Sequence, residues 1–135
     1  MVSSSITILG GGNTAFSVAA NLSLSGFEIT LAELPQFSSS IEVLKDRPYI
    51  NLLGVSNRGL AEIHGVTTDI EEALSSSDLV LVIVPAYGHR AFANASAPYL
   101  TADHTVVLMP GTLGVLEWKD ILHKYGVTNV TLAEV

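Results

Sequence analysis

Short apolar runs recur along this chain and predict the strands of a sheet. The first run covers residues 6–9. Four further runs follow it, at residues 27–32, 79–84, 105–109 and 127–133. All are rich in β-branched residues and lack polar alternation. This pattern is typical of strands buried on both faces, as in a parallel sheet with helices above and below it.

The segments between these runs carry the periodicity and the end signals of helices. Apolar residues from Ala15 to Leu22 recur at i, i+3, i+4 and i+7, and Gly26 follows where a helix would end. Two capping boxes, Ser39–Glu42 and Thr68–Glu71, predict the starts of two further helices. The predicted helices are residues 15–22, 39–45, 68–74, 89–97 and 113–125.

One stretch, Tyr49–Ile63, departs from this alternation because two strand-like pieces flank a turn rich in glycine, serine and asparagine. We interpret it as a β-hairpin that precedes the third strand of the sheet. The remaining strands and helices alternate, so right-handed crossovers predict a doubly wound parallel α/β sheet of about six strands. A chain of 135 residues, 48% of them hydrophobic, is long enough for one such domain over residues 1–135.

Composition excludes several classes of function. The net charge of −7, from 13 acidic and 6 basic residues without a basic cluster, argues against nucleic acid and against an anionic membrane surface as partners. The absence of cysteine excludes disulfides and thiolate zinc sites, and it favours a cytoplasmic location. The sequence predicts neither a signal peptide nor a membrane span.

A glycine-rich loop joins the first predicted strand to the first predicted helix, which is the order of a dinucleotide-binding Rossmann fold. In this G-x-G-x-x-A pattern, Gly10 makes the tight turn and Gly12 lets the backbone approach a pyrophosphate. The N–H groups after Gly12 are expected to face the phosphates. The alternative is that the glycines only permit a tight turn. The predicted cofactor-binding residues of this loop are Gly10, Gly11, Gly12, Asn13, Thr14 and Ala15.

An acidic residue, Glu33, ends the second predicted strand 23 positions after Gly10. A carboxylate near this spacing accepts a hydrogen bond from the ribose 2′-hydroxyl of NAD. The following residues include no arginine that would hold a 2′-phosphate, so NAD is favoured and NADP is the alternative cofactor. Without a ligand, Glu33 would be a solvated carboxylate at a strand end.

Two further loops follow predicted strands and are expected to flank the ribose and the nicotinamide. Their predicted cofactor-binding residues are Pro85, Ala86, Tyr87, Pro110 and Gly111. The alternative, on residue type alone, is that these loops are ordinary strand-to-helix turns. Tyr87 and His89 are the titratable side chains near this edge that would suit proton transfer.

For His89 we expect a position at a helix N-terminus without a catalytic role, so we assign no catalytic residue. The other histidines, His64, His104 and His123, are expected at the surface. No pair of histidines has metal-ligand spacing on one helix face, so no metal site is predicted.

Several segments together resemble the N-terminal, NAD(P)-binding domain of the opine (octopine and nopaline) dehydrogenases. They are residues 8–13, 33–37, 67–74, 77–86 and 110–111, the acidic-Leu-Pro turn at Glu33 and the Val-Pro-Ala stretch being the most specific. The resemblance implies an oxidoreductase that condenses an amino acid with an α-keto acid by hydride transfer from a nicotinamide. It also implies a separate substrate-binding domain that supplies the catalytic His and Asp.

Two positions depart from the pattern of that family, namely Met109 in place of the usual asparagine, and Glu134-Val135 in place of Glu-Thr. Alternatives with the same architecture are reductases similar to ketopantoate reductase or glycerol-3-phosphate dehydrogenase, and a stand-alone NAD(H)-binding regulatory module. With no substrate domain in these residues, we expect the face carrying Tyr87, Met109, Pro110 and the last strand to be exposed and to form a homodimer.

Overall fold

A computed structural model describes residues 4–135 of the chain. The strands are β1 (Ser5–Leu9), β2 (Glu28–Ala32), β3 (Tyr49–Leu52), β4 (Gly59–Glu62), β5 (Gly65–Thr67), β6 (Leu79–Val82), β7 (Thr105–Leu108) and β8 (Thr131–Glu134). The α-helices are α1 (Asn13–Leu24), α2 (Glu42–Asp46), α3 (Ile70–Ser75), α4 (His89–Ser96) and α5 (Gly114–Lys124). Short 3₁₀ helices cover Pro35–Ser40, Ala86–Gly88 and Ala97–Tyr99.

Six strands form one parallel sheet in the order β5-β2-β1-β6-β7-β8. The direction of winding reverses between β1 and β6, which is the topological switch point of a doubly wound sheet. Strands β3 and β4 pair antiparallel outside this sheet. The predicted Rossmann sheet of about six strands and the predicted hairpin are therefore confirmed.

The core lies in two layers, one on each face of the sheet, because successive strand residues point to opposite faces. Ile8 of β1 belongs to the layer beneath α1 and α2, whereas its neighbour Leu9 belongs to the layer beneath α3, α4 and α5. The second layer is centred on Trp118, which is fully buried. Burial on both faces explains why these strands show no polar alternation.

Three predicted strands are longer in the sequence pattern than in the structure. β6 ends at Val82 and β7 at Leu108, and the segment before Thr131 is not a strand. Val127 and Val130 nevertheless pack against the second core layer. An apolar run indicates that its residues are buried, but it does not distinguish a buried strand from a buried connecting segment.

Both predicted capping boxes are misplaced. No side chain caps α2, and Ser40 donates its hydroxyl to the carbonyl of Phe37 within the preceding 3₁₀ helix. At α3 the cap is Asp69, one residue later than predicted, and its carboxylate accepts the N–H of Glu72 at 3.2 Å. Several neighbouring polar residues satisfy a capping pattern, and the chain path selects which one reaches the free N–H groups.

His104 is a further correction, since it is buried with 7% of its surface exposed. Its Nδ1 accepts the backbone N–H of Thr101 at 3.0 Å, and its Nε2 donates to the carbonyl of Leu74 at 2.8 Å. Two backbone partners satisfy both ring nitrogens, so the ring is a neutral core residue. His64 and His123 are exposed, as predicted.

Within residues 4–135, part of one face of the sheet carries no helix, and Leu81 at its border also packs against the core layer beneath α1. The residues of β6, β7 and β8 that point away from α4 and α5 form two cross-strand rows, which are half-buried or exposed. We call them the open face: Leu79, Leu81, Thr105, Val107, Thr131 and Ala133. No helix within residues 4–135 is long and apolar enough to cross a membrane.

Candidate functional site

A cleft of about 340 Å³ lies at the carboxyl ends of four neighbouring strands, β2, β1, β6 and β7. This is the topological switch point, where open α/β sheets bind their ligands. Its lining combines the glycine-rich loop, one carboxylate and the ends of two apolar strands. The lining residues are Gly11, Gly12, Asn13, Thr14, Ala15, Glu33, Ile83, Val84, Pro85, Met109 and Pro110.

Gly10 is required by the protein itself. Its φ of +136° lies in the region that only glycine adopts readily, and its N–H donates to the carbonyl of Ala32 at 2.8 Å. A Cβ at this position would overlap the carbonyl oxygen of Ile83. Gly10 therefore shapes the turn beneath the cleft and does not line it.

Gly12 differs from Gly10 in each of these respects. Its φ of −91° suits any residue, and a Cβ added to it would meet no atom within 4 Å. The folded chain thus offers no steric reason for a glycine here. A ligand that approaches the backbone at this point does offer one.

The N-terminus of α1 opens into the cleft beside Gly12. No side chain caps it, and its first turn contains no acidic residue. The first N–H groups of a helix, here those of Asn13 and Thr14, have no intrahelical acceptor and carry partial positive charge. The arrangement is suited to an anion such as a pyrophosphate.

Glu33 is the only charged residue among those lining the cleft, and it is 7% exposed. Its Oε1 accepts the N–H of Leu34 at 2.8 Å. Burial raises the pKa of the Glu33 carboxyl, and hydrogen bonds from the N–H groups of Leu34 and Gly11 oppose part of that rise. Glu33 is therefore a largely buried carboxylate at the cleft, which differs from the exposed carboxylate considered as the alternative.

The predicted loops after β6 and β7 contribute only in part. Pro85 and Pro110 line the cleft. Ala86 lies outside it, and Tyr87 is 88% exposed on its rim. Gly111 is buried behind Pro110, where a Cβ would overlap the side chain of Glu134.

Ile83, Val84 and Met109 line the cleft but were not among the predicted site residues. They are the last residues of apolar runs that the sequence analysis extended as strands. Because β6 and β7 end earlier, these residues leave the sheet at the cleft. The ends of β6 and β7 would have to be known in order to predict these residues as part of the site.

Tyr87 and His89, the side chains considered for proton transfer, do not line the cleft. His89 starts α4, as predicted, but is only 1% exposed and lies behind Pro110. Within residues 4–135, no group of three or more His, Asp or Glu side chains is arranged to hold a metal ion. The described residues thus supply a binding cleft with apolar walls, backbone N–H groups and one carboxylate.

Comparison with known proteins gives one family match and several relatives. The family described as "NADP oxidoreductase coenzyme F420-dependent" matches residues 5–109. An opine dehydrogenase from Arthrobacter sp. (strain 1C) is 32% identical over 133 residues, which are 98% of this chain and 36% of that protein. A glycerol-3-phosphate dehydrogenase [NAD(P)+] from Acinetobacter baumannii is 27% identical over 106 residues, 78% of this chain and 29% of that protein.

Among solved structures, an octopine dehydrogenase described with NADH and pyruvate superimposes with a TM-score of 0.77 at 23% identity. The superposition covers 95% of this chain and 34% of that one. The predicted resemblance to opine dehydrogenases is therefore confirmed over nearly the whole sequence. The chain spans about a third of the length of these relatives.

Proposed function

This chain belongs to the family of NADP oxidoreductases described as coenzyme F420-dependent, and we propose that it is the NAD(H)-binding domain of an opine-type dehydrogenase. An opine-type dehydrogenase catalyses the reductive condensation of an amino acid with an α-keto acid. The nicotinamide, when bound, supplies or accepts the hydride. The residues described above bind and orient that cofactor.

The order of the strand ends sets the direction in which the cofactor lies. Glu33 follows β2, Gly12 and α1 follow β1, and Met109 follows β7, with β6 in between. At about 4.8 Å per strand, the distance from the first to the last is about 14 Å. A dinucleotide with its adenosine ribose at Glu33 and its pyrophosphate at Gly12 then has its nicotinamide beside Met109 and Pro110.

The single observation that carries the proposal is Gly12. It is a glycine with an ordinary φ, a Cβ added to it would meet no atom within 4 Å, and it lies beside an uncapped helix N-terminus. A tight turn accounts for Gly10 but not for Gly12. The approach of a ligand to the backbone accounts for Gly12.

Glu33 supports NAD over NADP. A buried carboxylate accepts hydrogen bonds from ribose hydroxyls, while it repels a 2′-phosphate. Fluorescence titration is expected to show tighter binding of NADH than of NADPH, and Glu33→Gln is expected to narrow the difference. Glu28→Gln, which changes an exposed glutamate on the same strand, is the control and should leave the difference unchanged. Equal affinities for the two cofactors in the unmodified protein would contradict the assignment.

We expect residues 1–135 alone to bind NADH without oxidising it. Turnover requires a positioned acceptor carbon and a group that transfers a proton, in addition to the hydride donor. Neither Tyr87 nor His89 projects into the cleft. We propose that a substrate-binding domain supplies the proton-transferring group and positions the acceptor carbon. This domain would belong to the same polypeptide or to a separate one.

We further propose that two copies of residues 1–135 associate. We place the interface at the open face, in place of the face around Tyr87, Met109 and Pro110 that was expected from the sequence. Its six side chains are uncharged, although the chain as a whole has a net charge of −7. Two copies can therefore pair there without bringing carboxylates together. A two-fold axis through this face would bury the same residues of both copies.

A further inference from the structure

The loop between β7 and α5 forms the predicted nicotinamide end of the cleft and has an unusual backbone. Thr112 and Leu113 have φ values of +47° and +66°, which non-glycine residues rarely adopt. Such a conformation persists only where surrounding contacts hold it. The side chains that hold this loop therefore determine the shape of the cleft beside Met109 and Pro110.

His89 makes one of these contacts from inside the core. Its Nε2 lies 3.3 Å from the carbonyl oxygen of Pro110. Its Nδ1 lies 3.3 Å from Nε1 of the buried Trp118. The imidazole thus links a core residue of α5 to a residue that lines the cleft.

The tautomer of His89 follows from the chemistry of its partners. An indole N–H only donates, so Nδ1 of His89 accepts, and Nε2–H donates to the carbonyl of Pro110. A second proton on Nδ1 would face the indole N–H of Trp118. The neutral Nε2–H form satisfies both partners.

We propose that His89 is a positioning residue for the nicotinamide end of the cleft, acting through the carbonyl of Pro110. It does not touch the cleft itself, and it fixes the loop that does. This inference rests on the proposed function, since it assumes that a dinucleotide binds with its nicotinamide beside Pro110. Its consequence is that His89 affects the nicotinamide half of the ligand and not the adenosine half.

The test compares NADH with ADP-ribose, which lacks the nicotinamide ring. His89→Phe keeps a planar aromatic ring at this position but cannot donate to Pro110. We expect it to weaken NADH binding about tenfold, the effect of one lost hydrogen bond to a positioned loop, and to change ADP-ribose binding less than about twofold. His89→Gln, whose amide can accept from Trp118 and donate to Pro110, should recover most of the NADH affinity.

His104→Phe is the matched control. His104 is also buried and neutral and also donates its Nε2–H to a backbone carbonyl, but that carbonyl belongs to Leu74, which does not line the cleft. The control should lower stability without changing the ratio of the two affinities. A ratio unchanged in His89→Phe would overturn the inference. If the unmodified protein bound neither NADH nor ADP-ribose, the proposed function would be wrong, and the inference would fail with it.

NMR of the unmodified protein tests the same point without any variant. The nitrogen resonances of His89 should show a protonated Nε2 and an unprotonated Nδ1. Saturation with NADH should shift the His89 ring resonances, whereas ADP-ribose should not, and His104 should respond to neither. Equal shifts of His89 with both ligands, or no shift with NADH, would overturn the inference.

Discussion

Two glycines of the same loop serve different purposes. Gly10 has a positive φ and lies against the carbonyl of Ile83, so the fold leaves no room for a side chain at this position. Gly12 has neither constraint, so a side chain there conflicts only with a ligand. Substitution at these two positions therefore separates stability from binding.

Gly12→Val is expected to leave the protein folded and to weaken NADH binding more than tenfold, about 1.4 kcal/mol or more, because a branched side chain would occupy the approach to the pyrophosphate. Calorimetry measures the affinity, and thermal unfolding measures the stability. Gly10→Val is the control, and it should fail to fold stably because of its φ and its contact with Ile83. Unchanged affinity in folded Gly12→Val would mean that the loop is only a structural turn.

Glu33 predicts a pH dependence of stability. Because burial raises its pKa in the folded state above the ordinary 4.5, the protonated form is favoured by folding. Its contribution to the free energy of unfolding is therefore complete below pH 4.5 and is lost as the pH rises through the raised pKa. Glu33→Gln should flatten this decline, as followed by urea unfolding across the pH range. A decline of the same steepness in wild type and Glu33→Gln would contradict this prediction.

A capping pattern in the sequence does not by itself identify the residue that caps a helix in this chain. The residues around Ser39 and those around Thr68 both match a capping pattern. Only the second segment presents a side chain to free N–H groups, and the residue that does so is Asp69. The first segment instead forms a 3₁₀ helix that leads into α2.

Asp69→Ala should lower the free energy of unfolding by about 1 kcal/mol, because it removes the acceptor for the N–H of Glu72 at the start of α3. Ser39→Ala is the matched comparison, since Ser39 was the predicted cap of α2 and α2 has no side-chain cap. Chemical denaturation should show little change for Ser39→Ala. Similar losses in the two variants would contradict the assignment of the caps.

At the scale of the whole molecule, helices cover the sheet unevenly. α4 and α5 cover one face of β6, β7 and β8, while the opposite side chains of the same strands form the open face. The cross-strand register aligns Leu81, Val107 and Ala133 in one row. An apolar row of this kind on a sheet favours contact with another apolar surface.

The open face predicts that residues 1–135 form a dimer in sedimentation experiments. Val107→Lys, which places a charge at the centre of that face, should shift the mass toward the monomer. Leu116→Lys, which changes an exposed leucine on α5, should not. Added salt should strengthen association, because it screens repulsion between two chains that each carry a net charge of −7. A monomer mass at every concentration would contradict the dimer, and a substrate-binding domain would then be the remaining occupant of this face.

Local patterns by themselves determined much of this protein. The apolar runs, the glycine loop and the hairpin turn established a Rossmann sheet and placed Gly12, Asn13, Thr14 and Glu33 near one another. They did so because buried parallel strands require continuous apolar residues and a strand-to-helix turn requires glycine. The carboxyl ends of the strands then lie on one edge of the sheet.

Only the tertiary structure decided where strands end and what surrounds each side chain. It brought Ile83, Val84 and Met109 into the cleft and left Tyr87 outside its lining. It also buried His89 and His104. Three of their four ring nitrogens have partners 21, 29 and 30 positions away in the chain, at Pro110, Trp118 and Leu74. The apolar pattern records that a residue is buried, but not which partner buries it, because that partner comes from another part of the chain.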